Sequence, residues 1–311
     1  MTSPLLSRPG AVEADPPDAG VAAHYGDPFR EQRALVAGEA SVDLSHRPVV
    51  RISGPDRLTW LHSLTSQHLE ALAPGVATEA LLLSPHGHVE HDLQLVDDGS
   101  AVWLHVEPGT ATALVTWLET MKFWSQVEVE DLSSSYAVVL CPTGVPGAPA
   151  RVVAHGVESF VPRADLDAVL AGPLAGVWAL EALRIADGKP RFGLETDHRT
   201  IPHEVGWIET AVHLDKGCYR GQETVARVHN LGRPPRRLVL LHLDGSESVL
   251  PAHGDPVLPV DGERPVGTVT SSARHYELGP IALAVVKRST PADAPLVTAG
   301  VAAAQEVLVP A

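Results

Sequence analysis

The run Lys216-Gly217-Cys218-Tyr219-Arg220-Gly221-Gln222-Glu223 contains one of the two cysteines of the chain. Lys216 and Arg220 each lie two positions from Cys218 in the sequence. A nearby cation stabilises a thiolate over a thiol, so this spacing predicts a cysteine that is reactive at neutral pH. The alternative is a surface turn with an inert cysteine, although exposed cysteines without a role are uncommon.

The residues that flank the thiol also predict a binding loop. Gly217 and Gly221 carry no side chain, which suits a tight turn or a close approach of the backbone to a ligand. Gln222 and Glu223 supply hydrogen-bond acceptors beside this bend. The other cysteine, Cys141, ends an apolar run, and we predict that it is a buried apolar residue.

Composition limits the partners. The 311 residues include 23 Lys and Arg against 38 Asp and Glu, which gives a formal net charge of −15. An acidic surface repels phosphate backbones and anionic bilayers, so we expect neither nucleic acid nor a membrane as a partner. Apolar residues make up 44% of the chain, which predicts a globular protein with a substantial core.

The sequence favours a cytoplasmic protein. Two cysteines do not make a disulfide framework, and reduced thiols suit the cytosol. The first residues lack a basic segment followed by an apolar core, so we expect no signal peptide. No run approaches the ~18 consecutive apolar residues of a membrane-spanning helix.

The pattern along the chain predicts an α+β protein with three regions. Residues 1–27 are rich in Pro, Gly, Ala and acids without periodicity, which predicts a flexible tail. Residues 28–235 mix helices and strands, including a helix at Pro28 to Val36 and a three-stranded meander over residues 78–106. Pro234-Pro235 indicates a boundary, after which evenly spaced short strands predict a C-terminal antiparallel β-barrel over residues 236–311.

The second strand of the predicted meander contains a candidate acid, Asp92. Glu90, Asp92 and Gln94 share one face of this strand, which either meets solvent or lines a polar cavity. His91 lies on the opposite face, so the nearby histidines and Asp92 do not obviously converge. We therefore predict strand and turn polar residues here, and no metal site.

Several segments resemble one known family. The run KGCYRGQE resembles the signature of the YgfZ family of folate-binding proteins, which are relatives of the glycine-cleavage T-protein (aminomethyltransferase). In the same order as in that family, weaker likenesses lie at residues 43–56, 183–193, 201–204 and 265–272. The resemblance covers the chain from about residue 40 to about residue 290.

The resemblance implies a T-protein-like folate-binding body at residues 28–235, made of two interleaved subdomains, with tetrahydrofolate or a derivative as its ligand. It implies ligand contacts from one set of residues: Lys216, Gly217, Tyr219, Arg220, Gly221, Gln222, Glu223, Asp187 and Arg227.

One departure concerns the pterin. The position matching Ala186 carries a pterin-binding glutamate in the T-protein family, and Asp187 replaces it only if the helix end is distorted, because one residue turns a side chain by about 100°.

A local positive patch is predicted after the cysteine run, and it would receive an anionic group such as a polyglutamate tail. Its members are Arg220, Arg227, Arg233, Arg236 and Arg237. A solvated basic linker is the alternative.

Three functions follow from these observations. The YgfZ resemblance implies a folate-binding accessory protein, rather than a conventional enzyme, that supports iron–sulfur cluster assembly or repair. Cys218 would then be its redox-active or cluster-contacting thiol, and iron–sulfur client or assembly proteins its partners. The alternative is an aminomethyltransferase or related one-carbon enzyme. Asp92 would then be the catalytic acid that orients or deprotonates an amine, because residues 87–93 resemble the T-protein stretch that includes its catalytic aspartate. A scaffold without a ligand is the third function.

Overall fold

The structure is a computed structural model that describes residues 2–232, 234–246 and 249–309. The chain divides into two units. The first unit comprises Met1–Leu82, His91–Leu180 and Asp215–Tyr219, and the second comprises Leu83–Glu90, Glu181–Leu214 and Arg220–Ala311. The cysteine run therefore contributes Lys216 to Tyr219 to the first unit and Arg220 to Glu223 to the second.

Helices occur in both units of the structure. They are α1 (Pro28–Val36), α2 (Arg57–Leu64), α3 (Ala111–Thr120), α4 (Leu166–Val169), α5 (Val177–Ala186) and α6 (Gln222–Leu231). Single turns of 3-10 helix lie at Pro4–Ser7, Arg163–Asp165 and Pro202–Glu204.

The strands up to residue 175 are β1 (Val12–Glu13), β2 (Ala22–His24), β3 (Ser41–Asp43), β4 (Val49–Ser53), β5 (Thr78–Leu83), β6 (Val89–Asp97), β7 (Ala101–His105), β8 (Glu128–Asp131), β9 (Tyr136–Cys141), β10 (Ala150–Val153), β11 (Gly156–Pro162) and β12 (Leu174–Ala175). The later strands are β13 (Arg236–Leu243), β14 (Pro256–Pro259), β15 (Gly267–His275), β16 (Gly279–Lys287), β17 (Leu296–Thr298) and β18 (Val301–Val307).

The prediction of a flexible tail at residues 1–27 was wrong. The Ser3 hydroxyl accepts a hydrogen bond from the Leu5 N–H at 3.1 Å and caps the first 3-10 turn. Strand β1 pairs with β2, and the side chains of Leu5 and Val21 are fully buried. Elements of two to four residues are too short to produce a periodic apolar pattern, so this segment looked unstructured in the sequence.

Helix α1 has the predicted bounds because its ends are marked by local signals. The Asp27 carboxylate accepts hydrogen bonds from the N–H groups of Phe29 at 3.0 Å and Arg30 at 3.1 Å. Pro28 occupies the first helical turn, where its missing N–H costs nothing. Gly38 follows the helix with a φ of +67°, a conformation that glycine adopts without strain.

The first unit contains two five-stranded sheets in the orders β5-β6-β7-β4-β8 and β10-β11-β9-β3-β12. The first order confirms the predicted meander of three consecutive strands. Leu61 of α2 and Leu114 of α3 are fully buried in one cluster with Leu93 of β6 and Leu104 of β7, so both helices pack against this sheet. This packing fixes β6, the strand that carries Asp92. Cys141, at the end of β9, is buried as predicted.

The second unit contains the predicted antiparallel barrel, which begins at Arg236. Its strand order is β13-β16-β15-β14-β17-β18, and β13 also pairs with β18, which closes the barrel. Val239 and Leu241 alternate along β13 and point into the same apolar cluster as Val257 and Leu296.

Candidate functional site

Cys218 lies on an exposed loop between the turn at Pro202–Glu204 and α6. Gly217, which precedes it, has a φ outside the left-handed region that favours glycine, and a Cβ at this position would meet no atom within 4 Å. The fold therefore does not require glycine at position 217. Open space beside an exposed thiol is compatible with the predicted approach of a ligand, which stays a prediction.

The side chain of Lys216 anchors this loop to backbone carbonyls of residues 62–67. Its side-chain ammonium donates hydrogen bonds to the carbonyl oxygens of Thr65 at 2.6 Å, Gln67 at 2.9 Å and His62. Burial lowers the pKa of Lys216 to about 8. Lys216 therefore holds the loop through three backbone carbonyls. The predicted contact of Lys216 with a cofactor stays a prediction.

Tyr219 supports the same anchor. The Lys216 ammonium lies 5.2 Å from the centre of its ring, a distance at which a cation and an aromatic face attract each other. Tyr219 is 8% exposed, and burial raises the pKa of its hydroxyl to about 12. The hydroxyl is therefore protonated at neutral pH, and most of the ring faces protein. Tyr219 is a supporting residue in this structure, and its predicted contact with a ligand stays a prediction.

Arg220 and Gly221 belong to the second unit. The Arg220 guanidinium pairs with the Glu90 carboxylate at 2.8 Å. Gly221 has a φ of +85° and precedes α6, and a Cβ there would lie 2.6 Å from the Ser84 carbonyl oxygen. A Cβ on Gly87 would lie 2.9 Å from the Thr224 Cβ. The turn before β6 and the start of α6 therefore meet through two glycines, and the predicted approach of Gly221 to a ligand stays a prediction.

The rest of the cysteine run starts helix α6. Gln222 is its half-buried first residue, while Glu223 and Arg227 are exposed on it. This helix was not predicted, because only Val225 of its ten residues is buried and no apolar stripe marks it. Exposure leaves Glu223 and Arg227 accessible, and their contact with a cofactor stays a prediction.

Acidic partners or carbonyl oxygens engage part of the predicted positive patch. Arg236 pairs with Asp197 at 2.7 Å and with Glu204 at 2.8 Å. The Arg237 guanidinium is buried and donates to the carbonyl oxygens of Arg288 at 3.0 Å and Thr290 at 2.8 Å. Arg233 lies outside the described residues. Arg236 and Arg237 thus make these contacts within the second unit, and an anion site at the predicted patch stays a prediction.

Asp92, on β6, is only 9% exposed. Its two carboxyl oxygens accept hydrogen bonds from the Gln94 side-chain nitrogen at 2.9 and 3.1 Å. Burial and the charges of Glu79 and Glu107 raise the pKa of Asp92 well above its usual range, and the Gln94 hydrogen bond offsets only part of this rise. The ionised form of Asp92 is therefore disfavoured, and this face of β6 lines a buried polar network.

Further side chains extend this network. The Gln94 side-chain oxygen accepts from Arg151 at 2.6 Å, and Arg151 pairs with Glu158 at 2.6 Å. His105 lies 3.0 Å from the same Glu158 carboxylate. The sequence signal for Gln94 was its position two residues from Asp92 on the same strand. Arg151 and Glu158 come from β10 and β11, and nothing local in the sequence connects them to Asp92.

Asp187 directly follows α5 and is exposed. Its N–H still donates to the Leu183 carbonyl oxygen at 2.9 Å, which is a helical hydrogen bond. The helix end is thus regular through this position, and Asp187 points about 100° away from the direction of Ala186. The distortion that would let Asp187 replace the family glutamate is absent from this described segment, so its role at the pterin is not supported by this geometry.

A cavity of about 450 Å³ lies within the second unit, a volume in the range of small-molecule sites. Its lining includes Ser84, His88, Glu90, Phe192, Asp197 and His198. Phe192 offers an apolar ring among polar groups, and Glu90 connects the lining to Arg220 of the cysteine run. The cavity is therefore the candidate place for a planar ligand with polar edges.

Residues 2–232, 234–246 and 249–309 lack two features. Within these residues, no group of three or more His, Cys, Asp or Glu side chains has an arrangement that would hold a metal ion. No helix in the same described ranges combines the length and the apolar character needed to cross a bilayer.

Comparisons with known proteins match both ends of the chain. Residues 26–159 match the model of the GCVT N-terminal domain, and residues 236–310 match that of the glycine cleavage T-protein C-terminal barrel domain. The chain is similar to the glycine-cleavage T-protein. A crystal structure of aminomethyltransferase T from Bartonella henselae superimposes with a TM-score of 0.83 at 18% identity, covering 97% of this chain and 94% of that one. The fold is therefore the aminomethyltransferase fold.

Curated relatives have differing names. An aminomethyltransferase of Nostoc is 27% identical over 83% of this chain and 79% of its own length. The mitochondrial iron–sulfur cluster assembly factor IBA57 homolog of Mycosarcoma maydis is 27% identical over 69% of this chain, which spans 60% of that relative. A putative chloroplastic transferase of Arabidopsis thaliana is 25% identical over 84% of this chain and 69% of its own length. The relatives thus include both an iron–sulfur assembly factor and aminomethyltransferases.

Proposed function

We propose that this protein is a folate-binding accessory protein that supports iron–sulfur cluster assembly or repair, with Cys218 as its reactive group. The observation that carries the proposal is the exposed thiol of Cys218 on a loop that Lys216 ties to three backbone carbonyls. A fixed, exposed thiol is placed to react with a partner, whereas a structural cysteine is buried like Cys141.

The chemistry of a thiol fits this role in two ways. A thiolate is the form that binds iron and the form that undergoes oxidation. Either use requires the sulfur to reach a second molecule, and Cys218 meets this requirement by its exposure. Iron–sulfur client or assembly proteins are therefore the proposed partners, and the cytoplasm is the proposed compartment.

Tetrahydrofolate or a derivative is the proposed small ligand. The aminomethyltransferase fold and the cavity beside Phe192 and Glu90 support this choice. An alanine at position 186 and the direction of Asp187 remove the carboxylate that grips the pterin in the T-protein family. We therefore expect this protein to bind folate more weakly than an aminomethyltransferase does.

The second candidate is an aminomethyltransferase, which the Nostoc relative favours. This reaction would need Asp92 as a carboxylate that deprotonates an amine. Burial and the charge of Glu79 raise the pKa of Asp92, which disfavours the carboxylate form that this reaction needs. Purified protein with a methylene-donor substrate should form no methylene-tetrahydrofolate, and measurable turnover would establish the second candidate over the first.

The decisive experiment replaces each cysteine in turn. In cells that lack their own copy of the gene, Cys218→Ala should lower iron–sulfur enzyme activities to the level of the deletion. Cys141→Ala is the matched control, because it makes the same chemical change at the buried cysteine, and it should leave these activities at the wild-type level. Equal activities for wild type and Cys218→Ala, at equal protein levels, would refute the proposed role of the thiol.

A further inference from the structure

Two adjacent aromatic side chains protrude from the first unit. Phe123 is 78% exposed and Trp124 is 94% exposed, and both lie in the loop between α3 and β8. Tryptophan is highly buried on average in folded proteins, so a ring that is almost fully exposed is unusual. Neighbouring exposed aromatic rings are typical of surfaces that bind another molecule.

The loop that carries the two rings is attached to the first unit on both sides of them. Before the rings, the Met121 carbonyl oxygen accepts a hydrogen bond from Trp60 Nε1 at 2.9 Å. After them, the Gln126 N–H donates to the Asp56 carboxylate at 2.7 Å. A Cβ on Gly54 would clash with the Gln126 carbonyl oxygen, so the two backbone segments touch at this point. The rings are therefore presented by a backbone with a defined position.

A tight turn at residues 122–125, which we call the aromatic turn, forms the tip of this loop. The Ser125 N–H donates to the Lys122 carbonyl oxygen at 2.8 Å, which places Phe123 and Trp124 at the two central positions. Phe123 has a φ of +45°, a conformation that a bulky residue rarely adopts. Burial does not offset this cost, because the ring is exposed. The turn itself would form more readily with glycine at position 123, so its own stability does not explain the two rings.

The chain around the aromatic turn is acidic. Residues 119–131 include four acidic side chains and one basic side chain. The basic one, Lys122, pairs with Glu119 at 2.6 Å. Glu130 pairs with Arg51 at 2.5 Å, whereas Glu128 is exposed on β8, four residues after Trp124. The exposed rings are therefore accompanied by negative charge.

We propose that Phe123 and Trp124 form a docking surface for a positively charged segment of a partner protein, whose arginine or lysine side chains lie over the two rings. Cations are attracted to the faces of aromatic rings, and arginine is the cation found there most often. The acidic side chains attract the same charge, so both features of the surface favour one kind of partner. This surface needs neither the Cys218 thiol nor folate for its role.

Two other occupants are disfavoured by charge. A second copy of this chain has the same formal net charge of −15, so the two copies would repel each other. An anionic bilayer would be repelled for the same reason. A basic protein segment is complementary to the rings and to the charge.

Calorimetry of the full chain at low salt tests the surface with a synthetic peptide of alternating leucine and arginine. A peptide with glutamate in place of arginine is its control. Wild-type protein should bind the arginine peptide and not the glutamate peptide. Absence of binding to the arginine peptide, or equal binding of the two peptides, would overturn the proposal.

Two tryptophan variants separate the aromatic turn from general attraction to an acidic protein. Trp124→Ser should weaken binding of the arginine peptide about tenfold or more, which is the loss expected at a central aromatic contact. Trp178→Ser is the matched control, because Trp178 is 49% exposed on α5 and the change is the same. Both variants keep the net charge, so non-specific attraction is equal in them. Equal affinities of the two variants would overturn the proposal.

Two charge variants test the acidic side chains in the same assay. Glu128→Lys should weaken binding more than Glu70→Lys, which makes the same change of net charge at an exposed glutamate far from the turn in sequence. Equal losses would show that affinity follows net charge alone, against the proposal. Circular dichroism should be unchanged in every variant, because the altered side chains are at least half exposed or lie on the surface.

Two further measurements on wild type and Trp124→Ser address the other occupants. Sedimentation reports self-association, and vesicles of phosphatidylcholine report binding to a bilayer. Neither should depend on Trp124. Self-association or vesicle binding that Trp124→Ser abolishes would assign the rings to a second copy or to a bilayer, and it would overturn the proposed basic partner.

Discussion

Cys218 and Asp92, the two candidate reactive residues, occupy opposite settings. Cys218 is exposed on a loop that is held by hydrogen bonds from the Lys216 ammonium to three backbone carbonyls. Asp92 is 9% exposed and enclosed by side chains from several strands. The comparison teaches that the thiol is open to large partners, whereas the acid is set apart from solvent and tuned by its neighbours.

We expect the largest loss of stability from a substitution that breaks the network around Asp92. Arg151→Met removes the cation that bridges Gln94 and Glu158, and it leaves a buried carboxylate without this partner. Loss of one partner from a buried ion pair costs about 3–5 kcal/mol, and because His105 and Arg47 stay beside Glu158 we expect the lower end of this range. Urea unfolding should show this loss, with Arg199→Met, at an exposed arginine, as the control. A loss below about 1 kcal/mol would show that the network contributes little to the stability of this region.

A smaller effect is expected at the anchor of the cysteine loop. Lys216→Met removes the hydrogen bonds to the carbonyls of His62, Thr65 and Gln67, and it should lower the free energy of unfolding by about 2–3 kcal/mol. The rate at which Cys218 reacts with a thiol reagent should change as well, because the loop loses its support. Lys189→Met, at an exposed lysine, should change neither quantity. An unchanged unfolding free energy for Lys216→Met would refute the anchoring role.

The smallest effect concerns how stability depends on pH through His91, the residue that precedes Asp92. Burial lowers the pKa of His91 to about 4, from an ordinary value of 6.5. Between these values the unfolded chain binds more protons than the folded one, so stability should fall as pH decreases from 6.5 towards 4. His91→Gln should reduce this loss by about 2 kcal/mol. Unfolding curves of both proteins at pH 7 and pH 4.5 provide the measurement, and identical pH dependence would contradict the assignment.

Local signals made part of this structure predictable. Asp27, Pro28 and Gly38 mark the ends of α1, and the turns around residues 85–87 and 97–100 separate the strands of the meander. The regular spacing of short strands after Pro235 indicated the barrel. Each of these features depends on a few neighbouring residues, and the sequence shows such residues directly.

Other features depend on residues that are distant in sequence. The sequence showed only that Lys216 lies two positions from Cys218, whereas its ammonium binds carbonyls some 150 positions earlier, which no local pattern indicates. The sequence marked Asp92 as a candidate acid but did not indicate that its pKa is raised, because Glu79 and Arg151 come from other strands. Short spacing in the sequence shows only which residues are neighbours in the chain. The groups that a side chain contacts also depend on the tertiary structure, which brings distant segments together.

The two glycines that meet at positions 87 and 221 matter for anyone who wishes to redesign the cavity. Their backbones touch where no side chain fits, so the corner between the turn and α6 has a fixed shape. Combinatorial libraries can diversify the cavity-lining His88 and His198 while that corner serves as a rigid template. Codons for both glycines should be kept constant, because a larger residue at either position would clash with the facing segment and many library members would misfold.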